Sequence, residues 1–154
     1  MKFKILWISL LIIVFSFPSL CFAEQPNPKI WKSLEYNSYY NIKILTTSSN
    51  TILVWIYKTV TDDTREKRIE EVKKYDLERS IKYQQYHHEA VLWEIDCKKR
   101  LWRLKDIIDF DNNEKVLDRY RYENSEWESI TPNSRGELLY KKICIIERKP
   151  LNKK

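Results

Sequence analysis

The sequence predicts an α+β fold: a single antiparallel β-sheet with a C-terminal α-helix tied to it by a disulfide, plus a charged helical insert. Three observations carry that expectation. Several separate segments alternate apolar and polar residues with a period of two, as strands with one buried face do. One segment near the C-terminus combines a capping signature with an apolar stripe at helical spacing. A cysteine stands on the core side of one such strand and another on that stripe: Cys97 and Cys144.

The chain opens with Lys2 and Lys4, runs through an apolar stretch over 5–20, and reaches Cys21-Phe22-Ala23 just before the polar Glu24-Gln25-Pro26. This is the pattern of a secretory signal peptide, residues 1–23, cleaved after Ala23. Ser16 and Pro18 interrupt the stretch and leave it short of the ~20 apolar residues of a membrane-spanning helix, so no span is expected after cleavage. Cys21 invites a reading as a lipid acceptor, but Leu20 precedes it, where lipoprotein processing wants a small side chain. Export places the protein in the periplasm or at the cell surface. Only Cys97 and Cys144 then remain, and in an oxidising compartment they are expected to bond to each other.

The chain carries 28 Lys and Arg against 22 Asp and Glu, a net charge of +6 that falls to +4 when Lys2 and Lys4 leave. Such a mild excess is not a nucleic-acid footprint. Gly136 is the one glycine. No phosphate-cradling loop or dinucleotide fingerprint can be built from it, and no cofactor is expected.

In chain order, residues 24–29 read as a flexible lead-in, 30–148 as one domain and 149–154 as a basic tail. Strands are expected over 39–47 and 51–60, with a Ser- and Thr-rich turn at 46–50 between them. The charged segment from Asp62 to about Arg79 reads as a solvated helix. Its Ile69, Val72 and Tyr75 are spaced three apart, and Asp63/Lys67 and Glu70/Lys74 are favourable pairs. Over 90–97, alternation puts Val91, Trp93, Ile95 and Cys97 on one face. After a turn at Lys98-Lys99, a strand over 100–110 is expected to set Trp102, Leu104, Ile108 and Phe110 on a common face. Asp111-Asn112-Asn113-Glu114 is a turn sequence, and a last strand runs from Lys115 to about Tyr122. Ser134 as N-cap with Glu137 three residues on announces the final helix, whose stripe is Leu139, Tyr140, Ile143 and Cys144. Trp31, Trp55, Trp93, Trp102 and Trp127 are expected mostly in the core.

An early Trp31, the pair Tyr39-Tyr40, Val54-Trp55, and Glu94-Ile95-Asp96-Cys97 followed by basic residues and a Trp come in a telling order. An Asp/Asn hairpin follows, then Trp127-x-x-Ile130-x-Pro132-x-Ser134 before a helix ending in Cys144. This order resembles the surface-adhesin protein E family of Gram-negative bacteria over nearly the whole mature chain. The resemblance implies one antiparallel sheet with the C-terminal helix held to its concave side by a disulfide. It also implies a surface protein that binds host extracellular-matrix and plasma proteins. The segment 62–79 has no counterpart in that pattern.

Three places carry candidate chemistry. His87-His88-Glu89 is where an imidazole adjoins a carboxylate, but strand neighbours point to opposite faces and no third ligand is at hand. An exposed loop pair with no metal or catalytic role is expected. Asp109-x-Asp111-x-Asn113 imitates the opening of a calcium loop, yet Glu114 takes the glycine position and Tyr120 that of the bidentate glutamate, so a hairpin turn is expected. Lys98, Lys99, Arg100, Arg103, Lys105, Arg119 and Arg121, with Tyr120 and Tyr122 between them, form a candidate binding patch for an acidic polysaccharide or protein. The plain alternative is a solvated sheet face. The expected function is that of an exported, non-catalytic binding module that adheres to extracellular-matrix or host proteins. The alternative is a periplasmic structural or accessory protein of the same fold without adhesive activity.

Overall fold

The computed structural model describes residues 25–35, 37–43, 45–46 and 50–146; the expected signal peptide and basic tail lie outside them. Among the described residues eight strands form one antiparallel sheet. They are β1 (Trp31–Glu35), β2 (Ser38–Asn41), β3 (Leu45–Thr46), β4 (Thr51–Thr59), β5 (Tyr86–Asp96), β6 (Leu101–Asp111), β7 (Val116–Arg121) and β8 (Glu128–Ser129). The sheet runs β1-β2-β4-β5-β6-β7, with β3 beside β4 and β8 beside β6. Helices α1 (Asp62–Lys73) and α2 (Leu77–Lys82) follow β4, and α3 (Arg135–Tyr140) continues into π-helical turns over Lys141–Ile146. No helix of the described residues is long and apolar enough to cross a membrane.

The core lies between one face of the sheet and α3. Alternation along β4 aims Ile52, Val54 and Ile56 at that helix. They join Leu34, Tyr40, Ile95, Ile130, Leu139 and Ile143 in one buried cluster, with Trp93, Cys97, Trp102, Tyr140 and Cys144 packed around it. Burying each such Ile or Leu stabilises the fold by roughly 1.5–3 kcal/mol. The stripe expected on the final helix is therefore the one that docks. The Cys97–Cys144 disulfide, with Cα atoms 5.6 Å apart, ties it to the end of β5. At the other end of α3, Ser134 Oγ accepts from the Glu137 amide (3.2 Å) as the capping box requires. The Glu137 carboxylate accepts from the Asn133 amide (3.0 Å), one residue earlier than the reciprocal bond expected.

Several boundaries differ from the sequence expectation, each for a local reason. The strand expected over 39–47 is two pieces, because the Asn41 side chain accepts from the Lys43 amide (2.8 Å) and turns the chain out of β2. The intervening turn at 46–50 falls largely on residues outside those described. Strand β1 was not anticipated, since Trp31-Lys32-Ser33-Leu34-Glu35 does not alternate. The helix expected from 62 to about 79 is two helices. Asp76 takes extended backbone and caps α2 through the Arg79 amide (2.9 Å), which stops α1. Val72 is fully buried, but Tyr75, beyond the end of α1, is 64% exposed. The Asp63–Lys67 pair forms (2.8 Å), whereas Glu70 pairs with Lys73 (3.5 Å) and not with Lys74.

Strict alternation fails along β6. The register slips between Leu92/Trp93 and Asp106/Leu104, leaving Lys105 as an extra residue. Trp102 and Leu104 consequently pair with Ile95 and Trp93 on the face that α3 covers, while Ile108 and Phe110 pair with Ala90 and His88 on the opposite face. The four residues do not share a face.

Candidate functional site

The face of the sheet away from α3 is lined with aromatic rings, one from each of five adjoining strands. Trp31 of β1 and Tyr39 of β2 meet Tyr57 of β4 edge-on, with ring centroids 5.5 and 6.0 Å apart. Tyr57 stacks on His88 of β5 at 4.4 Å, and His88 stacks on Phe110 of β6 at 4.7 Å. Register adds Trp55 and Leu92, which pair directly. Among the described residues no helix packs on this open face. The tryptophans expected mostly in the core divide: Trp93 and Trp102 pack against it on the helix-covered face, whereas Trp31 and Trp55 lie partly buried on the open face and Trp127 is 38% exposed. Large aromatics tolerate this because a flat ring shields its neighbours' edges while presenting one side to solvent.

The seven basic residues of the expected patch divide. Lys98, Lys99 and Arg100 sit in the β5–β6 turn, where Arg100 turns toward α3 to pair with Glu137 (3.2 Å) and lie over Tyr140. Lys105, at the bulge, donates to the Glu123 carbonyl (3.2 Å). Arg103, Arg119 and Arg121 do share the open face. Arg103 pairs with Glu94 (2.7 Å) and covers Trp127 (4.5 Å). Arg119 grips Asp106 (3.1 Å), a hydrogen bond that raises the pKa of its guanidinium. Among the described residues the side chains of Lys98, Lys99 and Arg121 have no ion-pair partner. Tyr120 and Tyr122 do not lie among these cations. Alternation along β7 sends Tyr120 to the helix-covered face beside Asp109, and both tyrosines line a cavity there.

The histidines correct the sequence expectation most sharply. They lie on β5 and not in a loop, and His88 is only 3% exposed. A register slip between Tyr86 and His88 leaves His87 as a bulged residue, and the two Nδ1 atoms come within 3.2 Å. Burial first, and then the His87 charge, lowers the His88 pKa to about 4, with Asp111 opposing. His88 is thus a neutral ring inside the aromatic row. The turn after β6 is the hairpin expected: Asp111 Oδ1 accepts from the Asn113 and Lys115 amides (2.8 Å each) and is committed to the backbone.

Asp109, the other half of the calcium-like motif, is 1% exposed on the helix-covered face. It accepts from Tyr83 (2.7 Å), Tyr86 (3.2 Å) and Arg68 of α1 (3.1 Å). Burial, followed by Asp109 for Tyr83 and by the charges of Glu89 and Asp109 for Tyr86, raises both phenol pKa values. Burial works most strongly against the Arg68 charge, but the hydrogen bond and charge of Asp109 together with Tyr83 and Tyr120 outweigh it and the guanidinium pKa is raised. Nearby, Arg79 pairs with Asp118, which also accepts from Tyr120. This buried network locks the α1–α2 insert onto β6 and β7, and no sequence motif announces it, because its members are spread over 52 positions. Above it lies a cavity of about 430 Å³, and a second of about 250 Å³ shares Thr64, Tyr86 and Glu89 as its wall.

A sequence profile described as Surface-adhesin protein E matches residues 32–145. The chain belongs to the surface-adhesin protein E family. It is similar in structure to Haemophilus influenzae protein E, solved in its crystal form II, with a TM-score of 0.50 and 9% sequence identity, covering 80% of this chain and 93% of that chain. At that identity the likeness is one of fold. No curated protein matches the chain. The protein E architecture accounts for the single antiparallel sheet, and the disulfide fastens the last helix to one face of it. In this chain the aromatic face of the sheet is left open among the described residues.

Proposed function

We propose that this chain is exported after removal of residues 1–23 and works outside the cytoplasm as a non-catalytic adhesion module, binding an acidic segment of a protein ligand on its open sheet face. The observation that carries the reading is the composition of that face. The half-buried Trp31, Tyr39, Trp55 and Phe110, packed around the buried Tyr57 and His88, lie on the same face as Arg103, Arg119 and Arg121, and aromatic residues with arginine are the side chains that dominate binding energy at protein interfaces. Family membership supports a binding role of this kind. Charge complementarity favours an acidic partner, because among the described residues Arg121 on the face and Lys98 and Lys99 at its end have no acid partner, while Arg103 and Arg119 are paired with Glu94 and Asp106.

The test is binding of the mature domain to a panel of extracellular-matrix proteins and to heparin over a salt series. Affinity for a matrix protein is expected to fall with salt, since exposed charges are screened within ~8 Å at physiological ionic strength. Reversing Lys98, Lys99 and Arg121 to Glu should weaken binding and leave the fold intact. Arg103 is unsuited to reversal, because a glutamate there would face Glu94. Binding of heparin alone would make the ligand a polysaccharide, and binding of neither would favour the periplasmic accessory role.

A further inference from the structure

The smaller cavity, of about 250 Å³, opens between the β2–β4 edge, the start of α1 and the start of α3. Asn37, Ser38, Lys58, Thr59, Thr61 and Arg135 contribute to its wall. Lys58 is spoken for by Glu89 (2.6 Å). Arg135 is not: its Nε is the one buried side-chain polar atom among the described residues without a hydrogen-bond partner. A buried donor left unmade costs about 1–3 kcal/mol and calls for an explanation, an ordered water or ion included; Arg135 also has no ion-pair partner among the described residues, so its charge stands uncompensated in the cavity wall.

We propose that this cavity is a binding site for a carboxylate-bearing ligand, with Arg135 as its anchor. The planar guanidinium fork matches a carboxylate through two parallel hydrogen bonds. Lys58 and Arg135 set against Glu89 leave a single uncompensated positive charge, which calls for a monoanion in preference to a phosphate dianion. Thr59 and Asn37 supply the neutral hydrogen-bonding groups a sugar ring or a peptide end requires. The volume is below the ~300–1,000 Å³ of pockets for drug-sized ligands, so one residue or one sugar unit fits. Thr64, Tyr86 and Glu89 separate this cavity from the larger one. The same group is presented by a peptide C-terminus and by an acidic sugar. The site lies on the helix-covered face, apart from the proposed adhesive surface.

Three probes decide it: glucuronate, N-acetyl-triglycine with a free C-terminus, and the same peptide as its C-terminal amide. They are titrated into the mature domain while the Arg135 Nε–Hε resonance is followed by NMR and affinity by calorimetry. A saturable shift of that resonance is expected with at least one acid probe, and which one responds identifies the source of the carboxylate. Arg135→Gln should weaken that binding by at least tenfold, the loss of one charge-assisted pair, with an unchanged melting temperature. If the variant fails to fold, the resonance of the unaltered protein still decides. Silence with both acids at millimolar concentration, equal binding of the amide, or equal affinity in Arg135→Gln overturns the site.

Discussion

His88 sits between the rings of Tyr57 and Phe110 on a sheet face that no described helix covers, and its neutrality has a consequence for stability. Its folded pKa of about 4 lies below the ~6.5 of an unfolded histidine, so over that window the unfolded chain binds the extra proton. Stability is therefore full above about pH 6.5 and falls as pH drops toward 4, by on the order of 2–3 kcal/mol. His88→Phe keeps the stack and removes the proton. Urea unfolding should show the parent losing stability over this window and the variant losing correspondingly less; parallel curves would show that His88 does not carry the effect. Asp109 predicts a larger change at one pH. Asp109→Ala strips the shared partner from Arg68, Tyr83 and Tyr86 and should cost about 3–5 kcal/mol, as breaking a buried charge pair does. Lys67→Ala, which breaks only the exposed pair with Asp63, should leave the denaturation midpoint almost where it was.

At the scale of elements, α3 and the insert contrast in what holds them. Helix α3 has only six residues, too few to persist alone, and relies on its Ser134 cap, its apolar stripe and the disulfide. In the chain-entropy account, opening a loop of 47 residues by Cys144→Ser should cost about 4 kcal/mol. A melting curve equal to the parent's would mean that the packing of Leu139 and Ile143 suffices. Ser134→Ala should cost about 1 kcal/mol through the lost Glu137 amide bond. Every component of α3 was legible because each is local: a cap, a carboxylate three residues on, and a stripe. In the insert, the break at Asp76 was also a local cap but was hidden inside a charged run. The grip of Arg68 and Arg79 on β6 and β7 depends on partners some forty residues away, which only the folded chain brings near.

For the whole molecule, the period-two pattern of Val91, Trp93, Ile95 and Cys97 gave the sheet and the side from which the helix docks, since burial enforces alternation wherever pairing is regular. The open face was much less legible. Two single-residue bulges, at His87 and Lys105, decide that His88, Ile108 and Phe110 line it and that Trp102 and Leu104 do not, and a bulge leaves no mark in hydrophobic periodicity. The basic patch was foreseen as a list of cations, but not the partners Glu94, Asp106 and Glu137 that neutralise three of them. The reading of this protein E-type domain as an adhesion module rests on that open face. The most direct test is equilibrium binding to the matrix-protein panel by Trp55→Ser and Arg121→Glu on the open face, with Lys67→Glu on the opposite side as control, all at matched melting temperature. The account predicts at least tenfold weaker binding for the two open-face variants and parental affinity for the control. Parental affinity in both open-face variants, or loss confined to Lys67→Glu, would contradict it.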